Sequence, residues 1–152
     1  MLKEGICIID GSVAGNPGRG GIGVVLMEKG NEGTVFRVSK SIGLATNNEA
    51  EWLAFIEALR LAKRKGFQKL QLLTDSELLR RQWYGTYKVR AKNLQKLFKK
   101  AKKLANTFQD LQIIAGSRKD TKEAHKLANM AVREVNRNGF KKKGNKPTTP
   151  NP

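Results

Sequence analysis

The sequence predicts an α/β fold built on one mixed sheet: an antiparallel meander, then strands added through helical crossovers. Three observations carry that prediction. Strand-like apolar runs and helix-like periodicities succeed one another in the order β-β-β-α-β-α-α-β-α. The Gly-Asn-Glu-Gly turn at 30–33 joins the second and third runs as a hairpin. A chain of 152 residues, 39% of them hydrophobic, is long enough for one domain with its own core.

The elements follow in order. Residues 5–13 form a short strand in which Cys7 alternates with its neighbours and is expected to be buried. Gly-Asn-Pro-Gly at 15–18, with Gly20 and Gly21, reads as a turn cluster. Residues 22–28 and 34–42 are the two strands of the hairpin. A helix over 48–65 has Ala50, Leu53, Ala54, Ala58, Leu61 and Ala62 on one side and stops at Gly66. A strand at 69–74 and a short helix at 76–84, closed by Gly85, come next. Leu94, Leu97, Phe98, Ala101, Leu104, Ala105 and Phe108 mark the buried stripe of another helix, and 111–115 is the last strand. A final helix over 123–138 turns Ala124, Leu127, Ala128, Ala131, Val132 and Val135 inward and stops at Gly139. The domain is expected to span 1–140. Residues 141–152, Lys-rich and Pro-containing, have nothing to bury and are expected to be a disordered tail.

Charge narrows the function. Lys and Arg total 30 against 13 Asp and Glu, for a net charge of +17. A folded surface so charged repels itself, and a polyanionic partner relieves that repulsion. The excess is uneven: residues 88–109 hold many Lys and Arg and no carboxylate. Within them Lys92, Lys96, Lys99, Lys100 and Lys103 share one helical face, where like charges cost roughly 0.2–0.5 kcal/mol per pair. A solvated face normally mixes signs, so this one reads as a phosphate-facing surface. The apolar runs are too short to span a bilayer and no cleavage-site pattern opens the chain, so a cytoplasmic protein is expected, with no membrane partner. One Cys and one His make neither an intrachain disulfide nor a conventional zinc site.

Three acids stand where a scaffold has no use for them. Asp10 and Asp75 each end an apolar strand, and Glu51 lies at the start of the long helix. Strand ends are where open α/β sheets build sites. Converging carboxylates repel one another unless cations sit between them, and Mg2+ takes a few carboxylate oxygens plus water. Each acid also has a structural explanation. Glu51 falls three residues after Asn48, a capping-box spacing, and Asp10 and Asp75 can be turn or N-cap residues. Together, in a strongly basic chain, they favour a metal-dependent site acting on nucleic acid. Trp52, Phe55, Phe67 and Phe98 are expected in the core. Trp83, Tyr84 and Tyr87 are either the edge of the core or a stacking surface for nucleic acid.

Three ordered blocks complete the pattern: Asp10-Gly-Ser-x-x-Gly-Asn-Pro-Gly18 with Gly20-Gly21-x-Gly23; Thr46-Asn-Asn-x-Ala-Glu51; and Thr74-Asp75-Ser76. With them the chain resembles the type 1 ribonuclease H family from about residue 3 to 138. The resemblance implies a ribonuclease H-like five-stranded sheet, an antiparallel meander followed by parallel strands, with helices on both faces. It implies a monomer that binds RNA–DNA hybrids and cleaves the RNA strand with two Mg2+ or Mn2+ ions, leaving 5′-phosphate and 3′-hydroxyl ends. Asp10, Glu51 and Asp75 would be the metal ligands. Asn16, Thr46 and Asn48 match positions at or near the family's hybrid-contacting loops, and the Gly-rich turn would let backbone approach a strand closely. Lys96, Lys99 and Lys103 would replace in part the basic helical handle that some members carry.

The pattern breaks at the family's fourth acid. The aligned run is Thr121-Lys122-Glu123-Ala124-His125-Lys126-Leu127-Ala128, with His125 in place of the acid. In one reading His125 is a neutral nitrogen ligand for a weakened second ion, which favours Mn2+ over Mg2+. In the other it is a drifted residue, and the protein is a hybrid-binding module with little turnover. The same chemistry on double-stranded RNA is a further alternative.

Overall fold

A computed structural model describes residues 2–144, the side chains of 135–144 excepted. Its strands are β1 (Glu4–Gly15), β2 (Gly18–Glu28), β3 (Asn31–Ala45), β4 (Lys69–Thr74) and β5 (Asp110–Ala115). They form one five-stranded sheet in the order β3-β2-β1-β4-β5. The β3-β2-β1 pairs are antiparallel, and β4 and β5 join β1 as parallel strands. The helices are α1 (Asn47–Arg64), α2 (Glu77–Trp83), α3 (Lys92–Ala105) and α4 (Lys122–Gly144). This is the mixed sheet that the element order predicts. No helix among the described residues is long and apolar enough to cross a membrane.

Burial seats the helices. Cys7, Ile9, Ile22, Val24 and Leu26 meet Trp52, Phe55, Ile56 and Leu59 of α1 in the central core, which also buries Phe67. Phe98 packs edge-on against Trp52, ring centroids 5.7 Å apart, and so locks α3 against α1. Trp83 belongs to the edge of this core, 5.0 Å from the Phe55 ring, with Lys102 Nζ 3.8 Å over its face. Burial there lowers the Lys102 pKa. Tyr84 exposes its ring, and its hydroxyl accepts from Ile113 N and donates to Ile113 O on the outer strand β5. The lysines of the basic stripe, Lys96, Lys99 and Lys103 among them, are exposed on α3.

Several expectations need correction. Gly20 and Gly21 lie inside β2, which begins at Gly18; only the Gly15–Gly18 connection turns, with Gly15 at φ +96°, where glycine avoids the Cβ clash. Gly11, Gly21 and Gly23 serve close packing of helices on the sheet. A Cβ on Gly11 would lie 2.6 Å from the Ala50 carbonyl carbon of α1. On Gly21 and Gly23 it would meet the Ala128 and Ala124 carbonyl oxygens of α4 at 2.5 and 2.0 Å. Because Gly11 faces α1 while Gly21 and Gly23 face α4, the two helices cover opposite faces of the sheet. The capping box of α1 is Thr46 with Glu49, not Asn48 with Glu51, so the helix starts at Asn47 and Glu51 is free of capping. Finally, α4 continues past Gly139 to Gly144, since a glycine weakens a helix without ending it. The rest of the expected tail, 145–152, lies outside the described residues.

Gly23→Ala should therefore lower unfolding stability by about 3 kcal/mol in urea denaturation, because α4 backbone must retreat. Gly33→Ala, whose Cβ would come no nearer than 3.9 Å to Asn31 Oδ1, should stay within about 0.5 kcal/mol of wild type. Equal losses at the two positions would contradict the packing role.

Candidate active site

Strand register brings the first two acids together. β1 and β4 run in parallel with Ile8 opposite Leu73, so Asp10 and Asp75, each two residues on, reach the same level and the same face. The helices supply the rest. Seating α1 on Gly11 through Ala50 delivers the next residue, Glu51, whose Oε1 accepts from Gly11 N at 3.1 Å. Gly23 pairs with Asp10 across β1 and β2 and seats Ala124 of α4, which delivers His125. Ser76, not Asp75, caps α2, its hydroxyl accepting from Leu79 N at 3.1 Å. Asp75 is thus left exposed at the strand end.

The outcome is a cluster in which Asp10, Glu51 and Asp75 each offer an oxygen, all within 4.8 Å of one another. Asp10 is buried, Glu51 half-buried and Asp75 exposed. Burial first, and then the charges of Asp10 and Asp75, push the Glu51 pKa up to about 9. Burial also raises Asp10, opposed in part by the hydrogen bond from His125. Among the described residues the one basic side chain in contact with the cluster is His125, whose Nδ1 lies 2.7 Å from Asp10 Oδ2. An anionic pocket with so little compensating charge, and oxygen donors only, fits a hard divalent cation.

The other residues singled out in the sequence fall into place around it. His125 reaches the cluster through Asp10, and its Nε2 lies 3.0 Å from Asn129 Nδ2. Asn16, Thr46 and Asn48 line one cleft together with Asn93 at the start of α3. Asn16 Oδ1 also accepts from Asn47 N at 3.0 Å, tying the β1–β2 turn to α1. Lys96, Lys99 and Lys103 do not line that cleft; they continue outward along α3 from its rim. A second cleft, of about 300 Å3, has Asp75, Arg118, Thr121, Lys122 and His125 as walls. Sequence reasoning missed Arg118 here, and it missed Asn129 and Ser12, joined by a 2.7 Å hydrogen bond. The available signals were spacing alone: Asn129 is one turn beyond His125, and Ser12 is two residues beyond Asp10.

Comparison with known proteins agrees with the geometry. The family described as "Reverse transcriptase-like" matches residues 9–131. The chain is 37% identical over 123 residues to a protein named ribonuclease HI from Halobacterium salinarum, covering 81% of this chain and 61% of that protein's length. The crystal structure of RNase H1 from H. salinarum superposes with a TM-score of 0.82 at 32% identity, over 86% of this chain and 98% of the other. LC11-RNase H1, solved in complex with an RNA/DNA hybrid, gives 0.79 at 35% identity over 86% and 98%.

The raised acid predicts a pH-dependent stability. Folded, Glu51 keeps its proton up to about pH 9; unfolded, it releases it near 4.5. Between those limits the unfolded chain binds fewer protons, so stability falls as pH rises. In chelator, Glu51→Gln should be more stable than wild type by ~2 kcal/mol at about pH 8, the gap closing towards pH 4.5. Chemical denaturation at the two pH values checks this, and a constant gap would contradict it.

Proposed function

The chain belongs to the type 1 ribonuclease H family, and we propose that it is a metal-dependent endonuclease that hydrolyses the RNA strand of RNA–DNA hybrids. The observation that carries the reading is the convergence of Asp10, Glu51 and Asp75 at one point of the sheet. The hybrid complex of LC11-RNase H1 supports the substrate.

Asp10, Glu51 and Asp75 would hold the divalent ions, Mg2+ or Mn2+. When bound, such ions supply Lewis acidity that makes water a nucleophile at neutral pH and stabilises the leaving 3′ oxygen, giving 5′-phosphate and 3′-hydroxyl ends. The protein's own groups do the remainder. Burial between the sheet and its helices keeps Asp10 and Glu51 oriented, while exposed Asp75 faces the cleft that a phosphodiester must enter. Arg118 and Lys122 on its wall offset the phosphate charge. Asn16, Thr46 and Asn48 give polar groups to a second cleft suited to a 2′-hydroxyl or a phosphate. Lys96, Lys99 and Lys103 extend that footprint along α3 with charge, which steers a polyanion without reading its sequence.

With an imidazole at the fourth acidic position the site has one negative charge fewer. Mn2+, which sheds water more readily than Mg2+, should then support faster cleavage. Labelled hybrid, RNA duplex and DNA duplex, each with Mg2+ or Mn2+, test the reading. Cleavage confined to the RNA of the hybrid is expected, with Asp10→Asn lowering the rate at least ~100-fold. Retained binding without cleavage in either metal would make the protein a hybrid-binding module instead. A Lys96, Lys99 and Lys103 triple neutralisation should weaken hybrid binding and flatten its salt dependence; an unchanged slope would remove the stripe from the interface.

A further inference from the structure

We propose that Asn129 and Ser12 are positioning residues that hold the His125 ring as a hydrogen-bond donor to Asp10, so that His125 serves the site by orienting Asp10 and not by ligating metal. The proposal rests on the carboxylate site described above. Its basis is a continuous chain of contacts: Ser12 Oγ donates to Asn129 Oδ1 at 2.7 Å, Asn129 Nδ2 lies 3.0 Å from His125 Nε2, and His125 Nδ1 lies 2.7 Å from Asp10 Oδ2.

The chemistry of each link sets the direction of the next. Ser12 Oγ donates to the Asn129 carbonyl oxygen, and the amide NH2 lies towards the ring. An NH2 group only donates, so His125 Nε2 must accept. The neutral ring then carries its proton on Nδ1 and donates it to Asp10 Oδ2. Both ring nitrogens are thereby spent on protein partners, and neither keeps a lone pair for a metal. The contact is made through Oδ2 of Asp10 and fixes its carboxylate from one side.

The backbone is built for this arrangement. Gly23 pairs with Asp10 and packs on Ala124, the residue before His125; Gly21 pairs with Ser12 and packs on Ala128, the residue before Asn129. Two successive close contacts of α4 with β2 therefore set two successive side-chain contacts of α4 with β1. The tether also answers a physical problem. The His125 side chain is 59% exposed while that of Asp10 is 7% exposed, and an exposed ring held at one end alone samples other rotamers.

The chain contains one histidine, so ring 15N spectra report on His125 without assignment. In metal-free protein at about pH 8 the expected form is the Nδ1–H tautomer, the reverse of the preference of free histidine. Asn129→Ala should release the ring to a mixture, and Ser12→Ala should shift it part of the way. Adding Mg2+ should leave the ring nitrogens unshifted in wild type. In hybrid cleavage Asn129→Ala should lower kcat roughly 10-fold and raise the half-saturating metal concentration, with KM for the hybrid unchanged. An Nε2–H tautomer in wild type, an unaltered tautomer in Asn129→Ala, or a metal-induced shift of a ring nitrogen overturns the proposal. The spectra need no turnover: a wild-type protein that shows the tautomer shift but cleaves no hybrid overturns the nuclease reading and leaves the relay standing.

Discussion

Everything in the site depends on how closely two helices can approach one pair of strands. A helix normally rides on a sheet at the distance its side chains allow. Here Gly11 admits α1 to backbone contact on one face, and Gly21 with Gly23 admits α4 on the other. Any side chain at those positions would intrude on helix backbone. Two of the helical residues that make the contact, Ala50 and Ala124, are each followed by a residue of the site, Glu51 and His125. Close packing thus converts two remote segments into neighbours of Asp10, and the parallel register of β1 with β4 adds Asp75.

That geometry is electrostatically expensive, and the expense is informative. Carboxylates gathered in this way lose hydration and repel one another, which pushes the Glu51 pKa up to about 9. A protein with 30 basic residues had ample means to neutralise the cluster, yet among the described residues Lys and Arg pair elsewhere, with Glu4, Glu57, Glu77 and Glu123. Negative charge is concentrated at one point and positive charge is spread over the surrounding surface. A divalent cation and a polyanion together complement that distribution; neither does so alone.

Much of this was legible in the sequence, for identifiable reasons. Apolar alternation and helical periodicity are local, so the order of elements and the direction of the strands could be read directly. Asp10, Glu51 and Asp75 stood out because an acid at the end of an apolar run contradicts its surroundings. The failures were also physical. A cluster of glycines looks the same whether it turns the chain or lets a helix sink onto a strand, so the start of β2 was misplaced. Thr46 with Glu49 and Asn48 with Glu51 share one spacing, and propensity alone does not choose between them. The Ser12–Asn129 hydrogen bond spans 117 positions and has no local trace. His125 was visible as a departure, but its role depends on a partner that only folding reveals.

The most direct measurement is the anomalous scattering of Mn2+ in crystals of the wild-type protein. The account predicts a peak in coordination contact with carboxylate oxygens of Asp10, Glu51 and Asp75 together. A fully occupied Mn2+ bound elsewhere, with the three acids uncoordinated, would contradict it.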